Sequence, residues 1–172
     1  MKTILMAVGT MSDTSLRTIT EKMVDRIGHF MPFEYRELAD VKATRSMSED
    51  KQKDIEGQRI LAAISPGDCM ILLDERGKML TSREFADDIQ RKMLMLQRNL
   101  VFVIGGPYGF SSDVYTRADG RLALSRMTMT HEMARMFFAE QLYRAVTIIK
   151  GLPYHHDRYD IAKREDCCAI GR

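Results

Sequence analysis

Two hydrophobic patterns alternate along this chain: short runs that are apolar almost throughout, and longer stretches with apolar residues three or four apart. Thr3 to Val8, Cys69 to Leu73 and Leu100 to Ile104 are of the first kind, as strands buried on both faces are. Phe33 to Leu38, after Pro32, reads as a further strand, and a short one falls near Leu122 to Leu124. Ser15 to Ile27 is of the second kind, with Leu16, Ile19, Met23, Val24 and Ile27 at helical spacing. Ser48 to Ala63 is helical too, its apolar residues Ile55, Ile60 and Leu61 gathered towards its end before the break at Pro66-Gly67-Asp68. Thr81-Ser82-Arg83-Glu84 is a capping box and opens a helix that runs to about Gln97. A short helix around Ser112 to Arg117 follows, and a last one from about His131 to Lys150 is stopped by Gly151 and Pro153. Strands separated by helices predict an α/β domain with a mainly parallel sheet flanked by helices.

The last helix has an unusually wide apolar face. Ala134, Phe138, Leu142, Ala145 and Ile149 form one stripe, and Met133, Met136, Phe137 and Ile148 widen it. Such a helix is buried on more than one side. Two readings follow, a homodimer interface or a central core helix. Beyond Asp157 periodicity is lost and charges are mixed. One domain is therefore expected over 1–157, and residues 158–172 read as a tail, partly disordered or a cloning remnant.

Bulk composition narrows the function only a little. With 172 residues, 45% of them hydrophobic and 29% charged, the chain is globular. Its 26 Lys and Arg against 24 Asp and Glu give a net charge of +2, which neither demands nor excludes RNA. No apolar run suffices to span a bilayer, and Met1 to Val8 lacks the basic region and cleavage site of a signal peptide. A cytoplasmic protein is expected. Cys69 and the adjacent Cys167 and Cys168 make neither a disulfide framework nor a zinc pattern, so no metal is expected.

The strand Leu100 to Ile104 empties into Gly105-Gly106-Pro107-Tyr108-Gly109. Adjacent glycines leave no side chains, so a ligand can approach the backbone, and parallel sheets bind ligands at the carboxyl ends of their strands. A tight turn shaped by Pro107 is the plainer reading. The familiar nucleotide motifs are absent: Gly9-Thr10-Met11-Ser12 after the first strand is no dinucleotide fingerprint, and Gly109 is followed by Phe110-Ser111 rather than Lys-Ser/Thr. A metal-free enzyme or a binding protein remains.

Several segments in order carry a resemblance. Met1 to Thr10 ends in Ala-Val-Gly-Thr; Met31-Pro32-Phe33-Glu34 opens the second strand; Leu73-Asp74 ends the third and Ile104-Gly105-Gly106-Pro107 the fourth. Leu124-Ser125, Met127-Thr128-Met129 and His131 lead into the last helix, which contains Ala139-Glu140-Gln141-Leu142-Tyr143-Arg144-Ala145. Pro153-Tyr154-His155-His156 closes the set. Over residues 1 to 157 this resembles the RlmH (YbeA) family, pseudouridine N3-methyltransferases of large-subunit ribosomal RNA within the SPOUT superfamily. The chain departs from the family pattern at Tyr108, where Glu is frequent, at Thr130 and Glu132, where Pro is frequent, and in its longer tail.

The resemblance implies a SPOUT-type α/β fold with a carboxyl-terminal trefoil knot, a homodimer, and S-adenosylmethionine as cofactor. It places the cofactor against Leu73, Gly105, Leu124, Ser125, Arg126, Met127, Thr128 and Met129. Methylating the N3 of a uracil-type ring requires that its proton be accepted, and His155 and His156 are the natural candidates, with Tyr154 stacking on or hydrogen-bonding the base. On composition alone these residues are a solvated chain end. His131 reads as a structural or cofactor-adjacent residue after an N-cap at Thr130. RNA contacts are expected from Arg126, Arg135 and Arg144, with a looser basic stretch at Lys42, Arg45, Lys51 and Lys53. The modest net charge suggests weak binding to naked RNA and a substrate within the assembled ribosome. Two alternatives stand beside this reading: a SPOUT enzyme acting on transfer RNA, and a non-catalytic RNA-binding ribosome-assembly factor.

Overall fold

The computed structural model describes residues 1–41 and 47–156; the tail 158–172, and Lys42 and Arg45 of the basic stretch, lie outside the described residues. The elements alternate as the hydrophobic pattern predicts: β1 (Thr3–Val8), α1 (Thr14–Gly28), β2 (Phe33–Leu38), α2 (Glu49–Ala63), β3 (Cys69–Met79), α3 (Ser82–Met95), β4 (Leu100–Ile104), α4 (Ser112–Arg117), β5 (Gly120–Ala123) and α5 (His131–Ile149). All strand pairs are parallel, and the five run in the order β2-β1-β4-β3-β5.

Continuous apolar strands follow from burial on both faces. On one face Leu5, Ala7, Leu100, Phe102 and Ile104 meet Ile27, Phe85, Ile89, Phe138 and Leu142 from α1, α3 and α5. Alternate residues of the same strands, Ile4, Met6, Val8, Val101 and Val103, meet Ile60 and Val114 from α2 and α4. Phe102 and Phe138 stack tilted at 4.7 Å between centroids, and the edge of Phe85 meets both at 6.2 Å. Side-chain caps from Asp13, Ser48, Thr81 and Thr130 start the four long helices, and Thr81 with Glu84 forms the expected reciprocal box.

Helix α5 lies between α1 and α3 over the sheet, with Phe138, Ala139, Leu142, Ala145 and Val146 buried in its own chain. Of the two readings of its wide apolar face, a central helix is the one that a single chain displays. Met133, 40% exposed, and the partly buried Met136 and Phe137 stay outside that packing.

One strand is longer than its apolar run. β3 pairs with β5 at Leu73, loses register over Asp74 to Gly77, and resumes pairing at Lys78 and Met79. The polar Asp74-Glu75-Arg76 hides this continuation from a hydrophobicity reading. Gly77 permits it, because a Cβ there would stand 2.6 Å from the Leu122 backbone.

Candidate active site

Strand β4 is central in the sheet, between β1 and β3, and its chain leaves at Gly105. The following loop is tight: the Gly109 N–H donates to the Gly106 carbonyl at 3.1 Å, and Gly109 holds φ at +82°. That conformation favours glycine, so the turn is written into the sequence. Beside it opens a cleft of about 990 Å³. Leu73, Asp74, Glu75 and Arg76 from the interrupted β3 form one wall, and the connection from Leu124 to Thr130 forms another. The α5 residues His131 and Ala134 also line it.

Seven of the eight residues expected to hold the cofactor meet here: Leu73, Gly105, Leu124, Ser125, Met127, Thr128 and Met129. Arg126 is exposed on the same connection and does not line the cleft. Ser125 Oγ accepts from the Met127 N–H at 2.9 Å, and the Thr128 hydroxyl lies 3.3 Å from Glu75. Thr130 accepts from the Met133 N–H, so it is the N-cap and His131 stands in the first turn, as expected.

Several lining residues escaped the motif reading. Lys53 comes from α2 and Tyr115 from α4. The Tyr115 hydroxyl donates to Asp74 at 2.5 Å, and its pKa is pushed up to about 12, first by burial and then by that carboxylate. Tyr115 is thus a fixed donor that holds Asp74 at the cleft edge. Tyr108 is 45% exposed at the loop tip. Leu73-Asp74 was the available signal for this wall; nothing in the local sequence pointed to Tyr115.

The loop after β1 is closed. Its Thr10 N–H points to Asp40 at 3.4 Å and its Met11 N–H to Glu37 at 3.0 Å. Ser12 gives both its N–H and its hydroxyl to Glu132 at 2.7 Å, and the Asp13 N–H reaches the other Glu132 oxygen at 3.1 Å. These amides would otherwise form an anion site at the start of α1. The Ser12 amide and hydroxyl hold the Glu132 carboxyl at about pH 2, well below the usual 4.5.

Arg135 corrects an expectation. It is fully buried, pairs with Glu37 at 3.2 Å, and donates to the Val8 carbonyl at 2.7 Å and the Tyr35 hydroxyl at 3.2 Å. A side chain locked under the β1 loop cannot reach RNA. Its charge ties α5 to the ends of β1 and β2 instead.

The candidate catalytic tail stands apart from the cleft, whose lining includes none of Tyr154, His155 and His156. After α5 the chain turns back along the helix. The Tyr154 hydroxyl donates to Glu140 at 3.2 Å, and its ring meets Tyr143 edge-on at 4.8 Å under the Arg144 guanidinium at 5.0 Å. His155 Nδ1 lies 3.5 Å from Arg144, which also pairs with Glu140. Burial, then Arg144 and Arg83, push the His155 pKa down, so the ring is neutral at neutral pH. Burial and Glu140 push the Tyr154 hydroxyl up, so it stays protonated. At about 1.5 Å per helical residue, Arg144 is roughly 20 Å along α5 from His131.

A family model described as a predicted SPOUT methyltransferase matches residues 1–155. A ribosomal RNA large subunit methyltransferase H of Flavobacterium psychrophilum is 47% identical over 152 residues, covering 88% of this chain and 97% of its own. Proteins of that name from Bacteroides thetaiotaomicron and Porphyromonas gingivalis are each 46% identical over 157 residues, covering 91% of this chain and all of their own. A solved probable methylase family protein of Haemophilus influenzae shares the fold at a TM-score of 0.52 and 12% identity, over 90% of this chain and 70% of its own. The chain belongs to the SPOUT methyltransferase family.

Proposed function

We propose that this chain methylates large-subunit ribosomal RNA at the N3 of a pseudouridine, with S-adenosylmethionine as methyl donor, in the cytoplasm and as a homodimer. The observation that carries the proposal is the cleft at Gly105-Gly106, in a chain nearly half identical to relatives named for ribosomal RNA methylation. Its volume, about 990 Å³, is at the upper end for small-molecule sites and leaves room for a base beside a cofactor. Bare glycine backbone suits close approach, while Leu73, Ile104, Leu124, Met127 and Met129 offer apolar surface. Family membership further supports a trefoil knot formed by the carboxyl-terminal part of the domain.

S-adenosylmethionine would supply a methyl group on a positively charged sulfur. The protein's part is to align a base behind it and to take up the N3 proton. His155, kept neutral by burial and by Arg144, suits the second task, with His156 beside it. Its own chain holds it away from the cleft, so a second subunit is the natural source. The outer face of α5 offers the exposed Met133 and the half-buried Phe137 in its first half, and Arg144, with Tyr154 packed on it, further along. Two copies pairing these faces antiparallel about a twofold axis would bring each tail to the other's cleft. Arg126, exposed beside the cleft, and Arg144 are then the cations positioned for RNA.

Incubating the protein with labelled S-adenosylmethionine and ribosomes from cells lacking the enzyme tests this. Label is expected at a pseudouridine of the large-subunit RNA. Ribosomes unable to form that pseudouridine should react more slowly, because the missing N1 donor costs about 1–3 kcal/mol if a buried acceptor reads it. Label in transfer RNA, or none at all, would overturn the proposal.

A further inference from the structure

Helix α2 runs tightly beneath the β4 loop. A Cβ on Gly57 would stand 2.3 Å from Ser111 Oγ, and one on Gly106 would stand 2.3 Å from Glu56 Oε2. Glu56 is only 3% exposed. Its Oε1 accepts from Gln52 Nε2 at 2.9 Å, while Oε2 has no hydrogen-bond partner. Among the described residues no cation pairs with it, and Lys53, on the same helix, is bound to Asp50 at 2.7 Å. Gly106 lines the cleft and Glu56 does not, so glycine backbone separates this carboxylate from the cleft contents.

A carboxylate withdrawn from water with no positive neighbour is costly. Within α2 only the neutral Gln52 amide engages it, and among the described residues it caps no helix. The adjoining cleft is where a compensating charge can arrive.

We infer that Glu56 is a buried counter-charge that makes the cleft prefer a sulfonium ligand to the corresponding neutral thioether. The inference rests on the cofactor reading above. In methyl transfer the methyl–sulfur bond breaks, its electron pair stays on sulfur, a carbon–nitrogen bond forms at N3, and the N3 proton passes to a base. The sulfur therefore loses its charge, and the attraction to Glu56 ends with the reaction. The group that favours fresh cofactor would therefore give the spent thioether no such advantage. Asp74 and Glu75 also line the cleft, but Asp74 already accepts from the Tyr115 hydroxyl and the Arg76 N–H, and Glu75 is exposed to water. Among the described carboxylates at or behind the cleft, Glu56 is the one that is buried without a cationic partner, so salt screens it least.

Glu56→Gln keeps the shape and an acceptor for Gln52 while removing the charge. Calorimetry on the whole protein, with S-adenosylmethionine and separately with S-adenosylhomocysteine, reads the effect. The sulfonium affinity should fall about fivefold to tenfold while the thioether affinity stays within about twofold. Glu56→Asp, which keeps the charge, should hold the ratio of the two affinities near that of the wild type. Equal losses of both affinities in Glu56→Gln, or an unchanged ratio, would overturn the inference. Because the substitution removes an unbalanced buried charge, the ligand-free variant should melt no lower than wild type, and failure to fold would also count against it. A wild-type protein that binds neither ligand would sink the cofactor reading itself.

Discussion

The loops after β1 and after β4 leave adjacent strands at the same edge of the sheet, yet they are finished in opposite ways. The β1 loop offers a row of amides at the start of a long helix, and Asp40, Glu37 and Glu132 fill that row. The β4 loop offers bare glycine backbone and stands open to a cleft. A position in an α/β sheet makes a binding site available, but whether it binds depends on what the rest of the chain brings to it. Here α5 takes part at both. Glu132 and Arg135 close the first loop, while His131 and Ala134 face the second.

The sharpest way to break this contrast is to fill the open loop. Gly105→Val puts a branched side chain where a Cβ would already lie 3.1 Å from the Phe110 ring and 3.2 Å from the Gly109 carbonyl. Cofactor affinity is expected to drop at least about a hundredfold, some 2.7 kcal/mol, by calorimetry. A folded variant with unchanged affinity would place the pocket elsewhere. Emptying the closed loop should instead be felt in stability. Arg135→Met leaves Glu37 without its buried partner, and denaturant unfolding should show a loss of about 3 kcal/mol. RNA binding by the folded fraction should not change.

The contrast between the loops also marks how far the sequence can be read. Strands β1 and β4 were legible because burial on both faces leaves apolar runs with no polar interruption. The continuation of β3 was not, since its pairing resumes only after the polar Asp74 to Gly77 segment has looped out. Arg135 was misread for a related reason. A charge on a helix resembles a surface charge until its partner is known, and Glu37 is 98 positions away. Glu132 likewise caps amides 120 positions away. The cleft residues from Leu124 to Met129 follow from the family motif alone, since no periodicity identifies a loop that lines a cleft at the end of β4. Tyr115 had neither motif nor pattern to announce it.

A smaller effect is expected from the tail. His155→Ala with His156→Ala should lower methyl transfer at least about tenfold, or about 1.4 kcal/mol of barrier, with cofactor affinity near normal. Loss of cofactor binding as well would make the tail a packing element. Because the His155 pKa is lowered, the neutral ring persists below the ordinary imidazole range, and the acid limb of the rate profile should fall below pH 6.5. A mixed dimer asks whose cleft the tail serves. Pairing a Gly105→Val subunit with a tail-substituted subunit leaves one intact cleft facing one intact tail across the interface. Activity well above either parent is expected, and background activity after verified subunit exchange would rule out the shared site.

The smallest effect belongs to Glu132, which holds the closed loop by its charge from a half-buried position. Its carboxyl titrates near pH 2 when folded and near 4.5 when unfolded, so the unfolded chain takes up the proton first as pH falls. The stabilisation is therefore fully present above about 4.5 and is lost progressively as pH falls towards 2. Glu132→Gln cannot ionise, so it should be less stable than wild type at neutral pH by an amount that shrinks on acidification. Denaturant unfolding of both proteins at pH 6 and pH 3 measures this directly. A difference that is constant across that range would mean the contacts act by shape rather than charge. Cofactor affinity at neutral pH should stay within about twofold, because closing one loop and binding at the other are separate tasks of α5. A large loss of affinity in Glu132→Gln would show that the closed loop shapes the open one, and the two could no longer be treated as independent.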